Sequence, residues 1–211
     1  LGISWFWFYG ATFLTQFPNF SREILGGSEH VVTLLLAIFS VGVGVGSLLC
    51  ERMSGHKVEI GLVPFGSIGM TLFGLDLYFA SRGYVAVGHE IGALPFLQTP
   101  GSWRISFDLL MLGLFGGFYI VPLYALIQTR SEESHRSRII AGNNILNALF
   151  LILAAVLAIV VFHFGFSIPQ LFLIAAILNA CVAIYIYTLV PEFLMRFIMW
   201  ILIHSVYRLK K

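Results

Sequence analysis

Apolar residues in this chain gather into six long runs, Gly2–Phe17, His30–Cys50, Val58–Ala80, Ile105–Gln128, Asn143–Phe164 and Leu171–Val190, separated by short polar stretches. A helix rising 1.5 Å per residue needs roughly 20 mainly apolar residues to cross about 30 Å of hydrocarbon. Each run comes close to that length, and no soluble fold uses such segments six times over. The pattern predicts an all-α, polytopic membrane protein: a six-helix transmembrane bundle over residues 1–190, then a segment of different character over residues 191–211. In that last segment Arg196, His204, Arg208 and Lys211 fall on one side of a helical wheel, and Phe193, Phe197, Trp200, Ile201 and Ile203 supply an apolar surface. A basic amphipathic helix lying in the cytoplasmic interface fits this better than a seventh crossing.

Composition agrees with a bilayer as solvent. Charged residues make up 10% of the chain and hydrophobic ones 59%, with a mean hydropathy of +0.93, where soluble domains carry about 25% charge. The net charge of +2 says little, but its placement says more. If the runs alternate in direction, Arg52, Lys57, Arg130, Arg136, Arg138, Arg196, Arg208, Lys210 and Lys211 share one side, and Arg22, Arg82 and Arg104 the other. The positive-inside rule then puts both termini, and the loops after the second and fourth runs, in the cytoplasm. Thr129–Arg138 reads as a charged cytoplasmic connector. The chain opens at Leu1 without a basic n-region or a small-residue cleavage site, so its first run reads as a transmembrane helix, and the chain reads as an excerpt of a longer one. Cys50 and Cys181 sit at different expected depths, form no metal motif and are not expected to pair.

Polar residues inside the runs are the candidate chemistry. Ser4, Thr12, Thr15 and Gln16 form a stripe on the first helix that either bonds other helices or lines a solute path. Trp5, Trp7 and Tyr9 suit an aromatic belt at the interface. Gly42, Gly44 and Gly46 lack the spacing and the βαβ context of a nucleotide loop. Gly42 with Gly46, and Gly113 with Gly117, instead form small-xxx-small pairs that let helices approach closely. Pro64 and Pro122 lie inside runs and are expected to bend them. Asp76 and Asp108 fall near one another in depth, with Arg82 and Arg104 close by, and Arg104 stands four residues before Asp108, the spacing of a helix ion pair. A structural or interfacial role and proton coupling, if water reaches either acid, are both open readings. Asn143, Asn144 and Asn147 open the fifth run, where capping, interhelical bonding and solute contact are all open readings. His163 and Asn179 read as packing or interface residues rather than ligands.

The loop Gly46-Ser47-Leu48-Leu49-Cys50-Glu51-Arg52-Met53-Ser54-Gly55-His56-Lys57 resembles the loop between the second and third helices of each half of a major facilitator superfamily transporter. It departs from that pattern in having Glu51 where Asp is usual, Ser47 in a glycine slot, and Gly55 displaced by one. Leu48 to Arg52 followed by Val58 to Pro64, together with Ser134 to Ala148, resembles the lysophospholipid-transporter branch of the superfamily, in particular members fused to an acyltransferase and an acyl-carrier-protein synthetase. Pro191-Glu192-Phe193-Leu194-Met195-Arg196 resembles the passage into that acyltransferase.

The resemblance implies a C-terminal six-helix half that works against an N-terminal half, moving lysophospholipid or another amphipathic solute across the bacterial cytoplasmic membrane by alternating access. The lipid would then be reacylated. It implies a cavity lined by the first, second, fourth and fifth helices, which brings forward Thr12, Gln16, Asp108, Tyr119, Asn143 and Asn147, and a conformational latch at Glu51, Arg52, Gly55 and Lys57. The alternative is a membrane anchor for the fused acyltransferase that transports nothing. Catalysis within the chain is not expected, since no His begins a His-x-x-x-x-Asp motif and no G-x-S-x-G, H-E-x-x-H or Walker loop occurs. No cofactor, metal or nucleic-acid partner is implied.

Overall fold

The computed structural model describes residues 1–54 and 59–205. Its helices are α1 (Gly2–Leu14), α2 (Phe17–Asn19), α3 (Glu29–Met53), α4 (Leu62–Arg82), α5 (Ala93–Gln98), α6 (Ser102–Arg130), α7 (Glu133–His163), α8 (Ile168–Leu189) and α9 (Pro191–Ser205). Among the described residues there is no strand, only an isolated bridge between Gly27 and Ile91 that ties the loop after α4 to the start of α3. The protein is an all-α polytopic membrane protein. Among the described residues five helices, α3, α4, α6, α7 and α8, are long and apolar enough to cross a bilayer.

The first run behaves differently. Its unbroken part is 13 residues, short for a crossing. Pro18 has no N–H to offer the carbonyl of Leu14, and the ladder breaks at Thr15 and Gln16. The chain then continues helically through α2 and a π-helical turn at Phe20–Leu25, ending where Gly26 adopts the left-handed conformation at φ 65°. This extension keeps the first segment on α8: Phe13 of α1 and Phe20 of the π-helical turn both pack on Phe172, with ring centroids 4.6 and 5.2 Å apart.

Two layers emerge from the helix pairings. A front row runs α3, α6, α1, α7, and α4 and α8 stand behind, α4 packed on α6 and α8, and α8 on α1. Directions follow from matched positions. Ser4 and Phe8 of α1 meet Asn147 and Phe150 of α7, so these helices run parallel. Trp5 and Phe13 of α1 meet Asn179 and Phe172 of α8, so those run antiparallel. Gly42 and Gly46 of α3 meet Leu110 and Leu114 of α6 in parallel. Strict up-and-down alternation of α1, α3, α4, α6, α7 and α8 satisfies every one of these pairings.

The α3–α6 contact rests on missing side chains. A Cβ on Gly46 would stand 2.0 Å from the Leu114 carbonyl oxygen, one on Gly42 2.2 Å from that of Leu110, and one on Gly113 2.3 Å from that of Phe39. The small-residue pairs therefore bring the two backbones together, as their spacing predicts. Gly44 faces open space instead.

Some expectations change. Pro64 lies in the first turn of α4, which begins at Leu62, so its missing N–H costs no ladder bond and it does not interrupt the helix; Pro122 does lie inside α6. The charged connector after α6 shrinks to Ser131 and Glu132, because α7 begins at Glu133. Asn143, Asn144 and Asn147 consequently sit about 15 Å or more into α7 and cap nothing. Trp5 and Tyr9 do not form a belt either: both are buried, and Trp7 alone of the three is exposed.

The segment over residues 191–205 forms α9, which crosses one end of the bundle. Phe193 packs near Tyr187 of α8, the Arg196 backbone lies against Gly61, and Trp200 joins Cys50, Leu62 and Phe118. Glu192 accepts from Arg130 of α6 at 3.1 Å and from Arg196 at 3.1 Å. The Arg130 guanidinium beside Glu192 holds its carboxyl below the usual carboxylate range, so this tie is complete at neutral pH and is lost as pH falls through that lowered value. Arg208, Lys210 and Lys211 lie outside the described residues, and the basic face expected of His204 rests on side chains that are likewise not described.

Substituting Gly46 or Gly113 by Ala forces α3 and α6 apart and is expected to lower stability by about 1–3 kcal/mol. Gly44→Ala, in open space, is expected to be neutral or to stabilise by up to about 1 kcal/mol. Thermal unfolding of the three variants in one detergent checks the contrast, and equal melting of all three would contradict the close contact.

Candidate functional site

The front row has an open outer side at α1. On α1 the exposed positions are Trp7 and Leu14, with Thr15 just past its end and Phe6, Gly10 and Ala11 half-buried between them, a face opposite Trp5, Tyr9 and Thr12 and, beyond the helix end, Gln16. The polar stripe of the first run therefore divides. Thr15 is exposed and donates to the Ala11 carbonyl, whereas Ser4, Thr12 and Gln16 turn into the bundle.

Each residue expected at the cavity or latch has a definite place. Thr12 is buried and donates to the Phe8 carbonyl at 2.9 Å. Gln16 is buried at the break after α1; its Nε2 reaches Thr15 Oγ1 at 3.4 Å and its Oε1 has no partner among the described residues. Tyr119 of α6 is buried, stacks on Phe6 and donates to the Gly2 carbonyl at 3.2 Å. Asp108 is buried toward α4, near Asp76. Glu51 and Arg52 are exposed in the last turn of α3, and Gly55 and Lys57 lie outside the described residues.

Asn143 and Asn147 come together on α7. With its amide oriented to satisfy both ends, Asn147 donates to Ser4 Oγ at 2.9 Å and to the Asn143 carbonyl at 3.1 Å, and accepts from Asn143 Nδ2 at 3.1 Å and Trp7 Nε1 at 3.3 Å. Trp7 Nε1 also lies 3.1 Å from Tyr124 Oη. Around the first two turns of α1, amides, an indole N–H and phenols from α1, α6 and α7 thus form one polar patch, bordered by the exposed edge of Trp7. Tyr119 and the two asparagines belong to it; Thr12, Gln16 and Asp108 do not. Ser4 is here as a member of the polar stripe expected on the first helix, bonding another helix, and Trp7 enters through its indole N–H rather than as a belt residue. Tyr124 is the member with no signal in the sequence beyond the general need of a phenol in an apolar helix for a partner.

A second network holds the bundle behind this patch. Trp5 Nε1 donates to Asn179 Oδ1 at 2.8 Å, and Asn179 Nδ2 donates to the Ser67 carbonyl at 3.0 Å and to Thr71 Oγ1 at 2.9 Å. Ser67 Oγ and Tyr187 Oη are 2.5 Å apart. Every polar atom of Asn179 is engaged inside the protein, which makes it a structural residue, as its sequence context indicates.

Away from these networks, a recess of about 670 Å3 opens where the π-helical turn meets the loop after α4, lined in part by Arg22, Glu29, His30, His89 and Glu90. It holds none of the expected site residues. Among the described residues no group of three or more His, Cys, Asp or Glu side chains is placed to hold a metal.

Over 123 residues, 57% of its length, the chain is 32% identical to the lysophospholipid transporter LplT of Klebsiella pneumoniae (strain 342). The chain spans 30% of the length of that relative. No protein-family model matches the chain, and no solved structure matches it.

Replacing Asn179 by Ala leaves the Trp5 indole N–H without its acceptor in an apolar interior, while the Thr71 hydroxyl keeps its bond to the Ser67 carbonyl at 3.0 Å, and is expected to cost about 1–2 kcal/mol. Asn144→Ala, exposed on α7, is expected to stay within about 0.5 kcal/mol. Thermal unfolding in detergent separates them, and an unchanged midpoint for Asn179→Ala would remove the structural weight assigned to that network.

Proposed function

We propose that this chain is one six-helix half of a major-facilitator-type transporter that passes lysophospholipid across a bacterial cytoplasmic membrane by alternating access. The similarity to a lysophospholipid transporter over more than half the chain is the observation that carries this reading. The helix arrangement supports it. Only 22% of the most apolar windows of α3 and α7 is buried, against 50% in α4 and α6, so the two ends of the front row carry broad apolar surfaces that the described residues do not cover. A second six-helix bundle seated there would enclose the open face of α1.

On this reading the half-buried Asn143 offers a polar contact for a headgroup at the edge of the patch it shares with Asn147 and Tyr119, with the exposed Trp7, Leu14 and α3 surface suited to an acyl chain. Thr12, Gln16, Asp108, Tyr119 and Asn147 are buried and would reach the cavity only if the bundle rearranges. Glu51, Arg52, Gly55 and Lys57 act as the latch that favours one access state. Both termini face the cytoplasm, in keeping with the nine-to-three division of basic residues, and α9 leads along that surface toward a fused acyltransferase that reacylates the imported lipid.

The anchor reading draws on one specific observation: Asn143, Asn147 and Ser4 satisfy one another within the chain, as an inert bundle would. Transport of a labelled lysophospholipid into vesicles containing the full-length protein discriminates between the two. Uptake is expected from the wild type. Exposed ion pairs are worth only about 0–1 kcal/mol, so near-silent Arg52→Ala and Glu51→Ala variants would leave the latch without content. Losing state-specific contacts predicts about a tenfold or greater fall in both, at matched protein abundance. Absence of uptake by the wild type supports the anchor.

Orientation has its own check. A cysteine placed at Ser134, in the first turn of α7, is expected to react with an impermeant thiol reagent only after the membrane is opened. Labelling from outside intact cells would overturn the topology.

A further inference from the structure

Arg104 and Asp108 stand one turn apart on α6, yet they do not form the ion pair their spacing predicts. Arg104 instead turns across to α4, where its Nε donates to Asp76 Oδ2 at 3.0 Å and its Nη2 to Asp76 Oδ1, a bidentate pair. Asp108 is left behind it, 0% exposed, and neither of its carboxyl oxygens receives a hydrogen bond from a donor among the described residues. The charged side chains that act on Asp108 are Asp76 from α4, within hydrogen-bonding reach, and Arg104 from its own helix. The other elements packed on α6, namely α1, α3, α5 and α7, bring it no charged side chain among the described residues.

An ionised carboxylate only accepts hydrogen bonds. Two of them face to face therefore leave Asp108 without a donor and beside a like charge, while one proton placed between them turns one acid into an O–H donor to the other. We propose that Asp76 and Asp108 together hold one exchangeable proton, and that its loss to water draws Arg104 from Asp76 toward Asp108. Both ends of that exchange are within reach: Asp108 lies at the i,i+4 position from Arg104, and the side chains of Asp76 and Arg104 are 40% and 54% exposed, which gives the proton a way out. Because the bidentate pair joins α4 to α6, moving Arg104 loosens that tie at the end of the bundle where α6 begins. The proton site stands on this geometry alone and does not depend on the transport reading.

The test is infrared difference spectroscopy on the full-length protein in lipid vesicles, titrated with pH in H2O and in D2O. A protonated-carboxyl C=O band is expected that shifts in D2O and titrates with a one-proton slope, about a tenfold change in the protonated-to-ionised ratio per pH unit. Asp108→Asn is expected to abolish the band. Asp76→Asn is expected to abolish it too, since it removes the proton's second acceptor and frees Arg104 to pair with Asp108. Glu90→Gln, in an exposed loop, is expected to leave it in place. A wild type without a titrating band, or a band that survives Asp108→Asn, overturns the proposal. Should Asp108→Asn fail to fold, survival of the band in Asp76→Asn overturns it equally. The readout is spectroscopic, so the band reports on the proton even in a protein that moves no lipid.

Discussion

The hydrogen bond from Trp5 to Asn179 is the contact around which the bundle is arranged. In hydrocarbon no water takes up an unpaired indole N–H or amide, so each must find a partner within the protein. Asn179 meets this demand for three helices at once, accepting from α1 and donating twice to α4. Helix α1 is tied again by Tyr9, whose hydroxyl donates to the Met70 carbonyl at 2.8 Å, by Tyr119 reaching Gly2, and by Asn147 reaching Ser4. The shortest of the long helical segments is thus the one bonded to α4, α6, α7 and α8, and its polar groups make up in connectivity what it lacks in length.

Close packing without side chains supplies the other half of the cohesion. Lipid tails are as apolar as leucine, so burial of apolar surface gives little drive for helix association, and contact distance counts for more. The glycine pairs of α3 and α6 exploit this, as does Gly66 of α4, where a Cβ would fall 2.6 Å from the Tyr119 backbone nitrogen. Helix α6, gripped from both sides, becomes the rigid spine of the front row, while α7 touches mainly α1. That asymmetry suits a bundle in which one edge stays fixed while another meets a partner, and it leaves the exposed patch at Trp7 on the seam between the two.

Sequence by itself determined the solvent, the helical class and the alternating order of the long segments, because a bilayer imposes a length and a composition that any reading of twenty-odd residues detects. It also identified the small-residue seams, since i,i+4 glycines act locally, and Asn179 as a packing residue. Boundaries suffered where the membrane signal and the helix part company: α7 extends ten residues beyond its apolar run through Ser134, Arg136 and Arg138, and α4 starts later than its run, which turns Pro64 from a bend into a first-turn residue.

Only tertiary structure decided which face each polar side chain takes and with whom it pairs. Ser4, Thr12, Thr15 and Gln16 lie within one third of a helix circumference, and no local rule divides that arc between bundle and open face; the positions of α7 and α8 do. Arg104 chose Asp76, 28 residues away, over Asp108 one turn along its own helix. The reason is physical. Hydrophobic periodicity is a property of the segment and survives in the sequence, whereas a hydrogen bond or ion pair between helices depends on rotation and register that are set only when the helices meet.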